Sequence, residues 1–250
     1  AASETADQAA VMYAGSFVVI GPAAEVLSRH AHPYTQAHLD CFPGREARLP
    51  QPLEGFPPDL TALADKCPFL PRCSHAWDDC RRLNRPELVP LSAADPDSRR
   101  VACHHPLFTN ESPSRRPGMP PAGDYLFDAK AEAVQSNRPL LEVHNLVKVF
   151  RRRGSLSRRG ATTAVHGVSF SLGSGEIMGL VGESGCGKTT LARCVLGLEP
   201  LTTGRVHILG MDLPAARGES RRQMRRHIQP VFQSPRSEEH TSELQSRQVI

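Results

Sequence analysis

Apolar and polar residues alternate most regularly from Leu140 to Phe150 (LLEVHNLVKVF), the signature of a strand with one face in a core. Ala164 to Leu172 (AVHGVSFSL) predicts a second strand, closed by a Gly173-Ser174-Gly175 turn. Glu176 to Val181 follows as a short apolar strand, and Thr190 to Leu198 as a helix. Thr203-Gly204 turns into a strand over Arg205 to Leu209, Ser220 to Arg226 forms a basic helix, and Ile228 to Phe232 a further strand. At the other end, Ala10 to Ile20 (AVMYAGSFVVI) predicts a β-hairpin turning at Ala14-Gly15. Gly21-Pro22 breaks it, Ala23 to Arg29 has helical composition, and His32-Pro33-Tyr34-Thr35 opens a short helix ending near Cys41. These N-terminal strands need partners that the chain does not obviously supply. Thr109 to Pro139, rich in proline, serine and charge, reads as an interdomain linker that few contacts should cross.

Composition narrows the class. A chain of 250 residues has room for one large or two modest domains, and 39% hydrophobic content fits a soluble protein. The 22 prolines cluster between Pro33 and Pro139, which predicts a loop-rich region there. Net charge is +4, and the arginines sit in knots (Arg151 to Arg153, Arg158 and Arg159, Arg221 to Arg226) without interleaved aromatics, so no nucleic-acid partner is expected. The longest uncharged run, Ala9 to Ala24, is interrupted by Gly15, Gly21 and Pro22 and falls short of a membrane span. Acidic Glu4 and Asp7 precede it, where a signal peptide would be basic. The expected location is cytoplasmic, with membrane attachment through a partner.

Chemistry concentrates in Gly182 to Thr189, which reads G-x-x-x-x-G-K-T between the predicted strand and helix. Gly182, Gly185 and Gly187 let backbone N–H groups turn inward around an anion, and the helix behind adds its positive dipole end. Glu183, Ser184 and Cys186 are the variable positions of this phosphate loop. Lys188 is placed to lie along the β/γ-phosphates, the Thr189 hydroxyl to ligate Mg²⁺, and Thr190 to begin the helix. This predicts an α/β P-loop nucleotide-binding fold with ATP and Mg²⁺ as ligands.

Cys67, Cys73, Cys80 and Cys103 form a second group, spaced C-x5-C-x6-C-x22-C within the proline-rich region. A reducing compartment argues against disulfides. Zinc favours tighter pairs, an iron–sulfur cluster accepts four thiolates at varied spacing, and unligated thiols are the third reading. His75, His104 and His105 are nearby candidate ligands. Cys194 reads as a small apolar residue on the buried helix face.

From these residues a resemblance follows. GEIMGLVGESGCGKTTLARCVLGLEPLTTGRVHILGMDL is similar, almost position by position, to the nucleotide-binding domain of ABC transporters of the oligopeptide/dipeptide importer branch. The resemblance implies that Phe150 stacks on adenine, and that Gln233 (in VFQSP) contacts Mg²⁺ and the attacking water and joins Lys188 as a catalytic residue. VMYAGSFVVIGPA with HPYT resembles the end of such an ATPase core, and CPFLPRC…C…VACHHP the cysteine motif of its C-terminal extension. That extension can hold a [4Fe-4S] cluster, on Cys67, Cys73, Cys80 and Cys103 here. The implied layout is a tandem protein: residues 1–40 end a first ATPase domain, 41–108 are its cysteine-rich extension, 109–139 the linker, and 140–235 the start of a second ATPase domain. The implied partners are two membrane permease subunits, an external substrate-binding protein and a second ATPase domain, at the cytoplasmic face of the membrane.

The chain shows no LSGGQ signature, no apolar strand ending in Asp-Glu and no switch histidine, so it is expected to bind ATP without turning it over. Residues 236–250 begin RSEEHTSELQS, which matches the translation of a common sequencing-library adapter, and are read as a foreign tail. Two other classes stay open. A soluble kinase or GTPase is one, although no Asn-Lys-x-Asp motif for guanine is present; a non-enzymatic metal-binding or redox module built on Cys67 to Cys103 is the other.

Overall fold

The computed structural model describes residues 5–41, 53–61, 63, 65–92, 99–107, 139–151, 161–213 and 227–231. Ala14 and Gly15 both take positive φ, 47° and 82°, and reverse strand β1 (Gln8–Tyr13) into β2 (Ser16–Pro22). Two left-handed residues match the twist of a tight hairpin. Helix α1 (Ala23–Ser28) follows Pro22 directly. Helix α2 (Pro33–Asp40) has proline in its first turn, and its N-cap His32 accepts a hydrogen bond from the Tyr34 amide on Nδ1 at 3.0 Å. The cysteine region adds a 3₁₀ turn (Leu70–Arg72), α3 (Asp78–Arg82) and the two-residue strands β3 (Val89–Pro90) and β4 (Arg100–Val101).

Downstream come β5 (Leu141–Arg151), β6 (Ala161–Leu172), β7 (Met178–Val181), α4 (Lys188–Val195), β8 (Thr203–Ile208) and β9 (Met211–Asp212). The helix predicted over Thr190 to Leu198 begins earlier, because the first helical turn grows straight out of the glycine loop, and it ends at the Leu196-Gly197 turn. Residues 228–231 form no strand. Ile228 packs on the core while Val231 is 96% exposed, so this segment has one anchor and no ladder partner among the described residues.

Two sheets result, ordered β3-β4-β2-β1-β7 and β6-β5-β8-β9. The first corrects two expectations. The N-terminal hairpin does find a partner, since β1 pairs in parallel with β7 from Gln8↔Met178 to Val11↔Val181. Contacts also cross the linker region freely: the amides of Asp7 and Gln8 donate to the Ile177 carbonyl at 2.9 and 3.1 Å, and the Ile177 amide returns a bond to Asp7 Oδ2 at 2.8 Å. An apolar strand with unpaired edges is stable only when another strand satisfies its backbone, and β7 does so here.

Burial on both faces explains why the β1 sequence is apolar without alternation. Ala10 and Met12 point into one core with Phe17, Val143, Leu146, Val165, Leu191 and Val206. Ala9, Val11 and Tyr13 point into the other, with Val26, Tyr34, Phe69 and Val101. Leu191 and Cys194 are the buried positions of α4, in line with the expectation for Cys194. No described helix is long and apolar enough to cross a membrane.

Candidate nucleotide site and cysteine cavity

Strand β7 delivers the chain into the loop from Gly182 to Gly187, which is seated on β1 and β6 so closely that side chains are excluded. A Cβ on Gly182 would meet the Met12 carbonyl oxygen at 2.3 Å, and one on Gly187 the Ala164 carbonyl oxygen at 2.4 Å. Both have positive φ, 154° and 112°, where L-residues are strained. The hairpin turn braces the loop from outside, the Gly15 amide donating to the Cys186 carbonyl at 2.9 Å. Helix α4 then starts at Lys188 with Gly187 as its N-cap and no side-chain cap, so its first amides remain available to an anion.

The Lys188 ammonium bridges the loop, donating to the carbonyls of Gly182 at 2.7 Å and Glu183 at 2.8 Å, with Cys186 Sγ at 3.6 Å. Ser184, Gly185 and Thr189 are exposed, Thr190 is half-buried and Cys186 is buried beneath the loop. The predicted residues from Gly182 to Thr190 therefore form one continuous loop-and-helix-start. A cleft beside them is walled by Tyr13, Ala14, Pro57, Pro58 and Leu60. Phe150, near the end of β5, is 41% exposed, and the Lys148 ammonium lies 4.7 Å from its ring centroid. Lys148 is itself buried, bonded to the Pro200 carbonyl at 2.8 Å and paired with Glu199 at 3.0 Å. Gln233 lies outside the described residues, as do residues 236–250.

The structure adds residues that the sequence pattern did not reveal. Arg72, on the 3₁₀ turn, makes a two-pronged ion pair with Glu183 at 2.9 and 3.1 Å, and the Tyr34 hydroxyl accepts the Glu183 amide at 2.9 Å. The pair is 111 residues apart in sequence, so no local spacing could have disclosed it. Glu183 together with burial sets the titration of its neighbours. Hydrogen bonding to Glu183 leads in raising the Arg72 guanidinium, whereas burial leads in raising the Tyr34 hydroxyl. Burial pushes His38 down, with Glu183 opposing and Lys188 assisting.

Cys67, Cys73, Cys80 and Cys103 line one cavity together with His32, Phe69, His75, His104 and His105. Burial, then neighbouring thiols among the further causes, raises Cys67, Cys73 and Cys103, the last to about 11. Backbone amides oppose this: Phe69 and Leu70 donate to Cys67, His75 to Cys73 and His105 to Cys103. Thiols crowded together and each aimed at by an N–H group are sites where a bound cation would favour thiolate. Four thiolates around one zinc ion would approach to about 3.8 Å of one another. Among the described residues, however, the group of three ligand atoms mutually within 4.8 Å is Glu142, His144 and His207, not the cysteines. His104 is already bonded to the Asn84 carbonyl at 2.9 Å, and the His105 ring stacks on Trp77 at 5.0 Å. Glu142, His144 and His207 sit on β5 and β8, and Arg205 stands opposite His144 in the ladder, a cation that opposes metal binding there.

Residues 165–248 match the family described as ABC transporter, and residues 18–80 the oligopeptide/dipeptide transporter C-terminal region. The first match extends past Pro235 to residue 248. The chain is 35% identical over 243 residues to the oligopeptide transport ATP-binding protein OppD of Mycobacterium tuberculosis and of Mycobacterium bovis, covering 93% of this chain and 37% of each relative. It is 43% identical over 94 residues to the nickel import ATP-binding protein NikE of Pseudomonas putida, covering 38% of this chain and 34% of that protein. The chain thus spans little more than a third of the relatives that it matches. Its glycine loop ahead of α4, the matched extension that begins in β2, and the similarity to OppD along 93% of this chain together identify residues 165–248 as an ABC transporter segment and residues 18–80 as an oligopeptide/dipeptide transporter C-terminal segment.

Proposed function

We propose that this chain is the nucleotide-binding portion of an ABC importer ATPase whose transported substrates are peptides. The observation that carries the reading is the loop from Gly182 to Lys188, packed too tightly for side chains at Gly182 and Gly187 and opening onto the uncapped start of α4. Such a loop directs amides and one ammonium at a polyphosphate. In this reading Lys188 leaves the Gly182 and Glu183 carbonyls for the β/γ-phosphates, Thr189 supplies its hydroxyl to Mg²⁺, and Phe150 stacks on adenine. Gln233 would face Mg²⁺ and the attacking water. Peptides are the substrate class because the similarity that runs over 243 residues is to oligopeptide transport ATP-binding proteins, with nickel the alternative that a shorter match offers. Two membrane permease subunits, an external substrate-binding protein and a second ATPase domain would complete the transporter, with this chain at the cytoplasmic face of the membrane. Residues 1–40 and 41–108 would be the end and the cysteine-rich extension of one ATPase domain, and 140–235 the start of the next.

The cysteine cavity fits an iron–sulfur cluster by its donor set. Cys67, Cys73, Cys80 and Cys103 would hold a [4Fe-4S] centre, which supplies four-point cross-linking of the extension and one-electron redox chemistry when bound. The chain's own part is to aim the Phe69, Leu70, His75 and His105 amides at the sulfurs and to exclude water with Phe69.

Titration of the full chain with a fluorescent methylanthraniloyl-ATP and Mg²⁺ tests the nucleotide reading. Saturable binding is expected, weakened by about 10-fold or more in Lys188→Ala through loss of charge-assisted bonds. A folded wild-type chain that does not bind the probe overturns the reading. Anaerobic purification should yield a brown protein absorbing at about 400 nm, lost in Cys103→Ser. Colourless protein with one equivalent of zinc would overturn the cluster assignment.

A further inference from the structure

The nucleotide loop carries a carboxylate, Glu183, next to the place where a strongly anionic ligand binds. Left free, that charge would oppose the ligand. The structure shows where it goes. Arg72 commits each guanidinium nitrogen: Nη1 donates to Glu183 Oε2 at 2.9 Å and to the Tyr13 hydroxyl at 3.3 Å, and Nη2 to Glu183 Oε1 at 3.1 Å and the Leu53 carbonyl at 3.4 Å. Nε donates to the Glu54 carbonyl at 2.9 Å. The Arg72 side chain is 5% exposed and that of Glu183 20%, so the pair is shielded from solvent. A planar fork against a carboxylate fixes direction as well as charge.

Arg72 is held in turn by its own loop. Phe69, three residues earlier, stands edge-on to the rings of Tyr13 and Tyr34, with centroids at 5.3 and 5.4 Å. Tyr34 closes the arrangement by accepting the Glu183 amide, so both the backbone and the side chain of Glu183 are gripped from the segment between Tyr13 and Arg72.

We propose that Arg72 is a positioning residue of the nucleotide site: its fork neutralises Glu183 and turns that carboxylate away from the phosphates, leaving Lys188 and the loop amides unopposed. This rests on the nucleotide reading above. It gives the C-P-F-L-P-R-C segment a role at the phosphate loop that is separate from any metal its cysteines hold.

The test measures affinity of the full chain for methylanthraniloyl-ATP and methylanthraniloyl-ADP with Mg²⁺, in wild type, Arg72→Ala, Arg72→Lys and Arg72→Ala/Glu183→Gln. Arg72→Ala should lose about 10-fold in ATP affinity, as freeing one unit charge in a partly buried site implies, and less for ADP. Arg72→Lys should fall between, because it keeps the charge without the fork. The double variant should return to near wild type, since the repelling charge is gone. If wild type binds and Arg72→Ala binds equally well, or if Glu183→Gln fails to rescue a folded Arg72→Ala, the proposal is overturned. If Arg72→Ala does not fold, the Arg72→Lys value decides: wild-type affinity for both nucleotides would sink the idea. Failure of wild type to bind either nucleotide would instead remove the underlying nucleotide reading.

Discussion

Gly187→Ala and Gly185→Ala, two changes of one methyl group in the same loop, should separate folding from binding. Gly187 has φ of 112°, and a Cβ there would sit 2.4 Å from the Ala164 carbonyl oxygen and 2.8 Å from Met12 Cε. The first neighbour is backbone and cannot step aside without moving β6. A left-handed L-residue costs ~1–2 kcal/mol. Overpacking a filled core adds ~1–3 kcal/mol. Together Gly187→Ala should lose about 2–5 kcal/mol, a large part of the ~5–15 kcal/mol that ordinarily separates folded from unfolded. Gly185 has φ of 79° with nothing within 4 Å of an added Cβ. Its substitution should cost only the backbone penalty, ~1–2 kcal/mol. The same methyl stands on the exposed side of the loop, where the ligand approaches, so nucleotide affinity should drop by about 10-fold as amides are kept from the phosphates. Urea unfolding followed by circular dichroism, with the slope checked for constancy, measures the first quantity, and the fluorescent-nucleotide titration the second. If Gly187→Ala unfolds at the wild-type midpoint, or if Gly185→Ala is the more destabilised of the two, the argument from close approach is refuted.

Other outcomes follow from the same contacts. Phe69→Ala removes a ring that is 2% exposed and touches Tyr13, Tyr34 and His32; a loss of ~3–5 kcal/mol in chemical denaturation is expected, and a value under about 1 would show that the aromatic cluster is dispensable. His32 is buried and its imidazole is depressed by that burial from 6.5 to about 3. The unfolded chain takes up this proton near pH 6.5 and the folded chain does not, so the contribution is full above 6.5 and shrinks as pH falls towards 3, by up to ~1.4 kcal/mol per pH unit. His32→Asn retains a capping acceptor for the Tyr34 amide and cannot titrate; its stability-versus-pH curve should be shallower by about one proton, and an unchanged slope would contradict the burial argument.

Local order was legible wherever a few adjacent residues decide it. The hairpin at Ala14-Gly15, the proline-started helix after His32 and the alternation in β5 follow from backbone preference and periodicity, which act over less than a dozen residues. The loop from Gly182 to Thr190 was equally readable as a strand-to-helix junction, because its glycines at set intervals along one segment permit the positive φ and close approach that the turn needs. The four cysteines could be grouped from sequence, but only the fold shows that they line one cavity and that sulfurs there receive amides from the residues just after them.

What only tertiary structure decided are the pairings between distant segments. β1 satisfies its edge on β7, 170 residues away, and Met12 becomes the floor beneath Gly182 and Gly187. A strand's apolar residues state that it must be covered, not by what, since hydrophobic burial has no direction and every strand offers the same backbone groups. Arg72 and Glu183 are the sharper case. Each alone reads as an ordinary charged residue on a polar stretch, and they meet beside the packing of Phe69 against Tyr13 and Tyr34. Motif spacing can encode the chemistry of one loop; the charge that balances that loop arrives from another part of the chain, and only packing determines which.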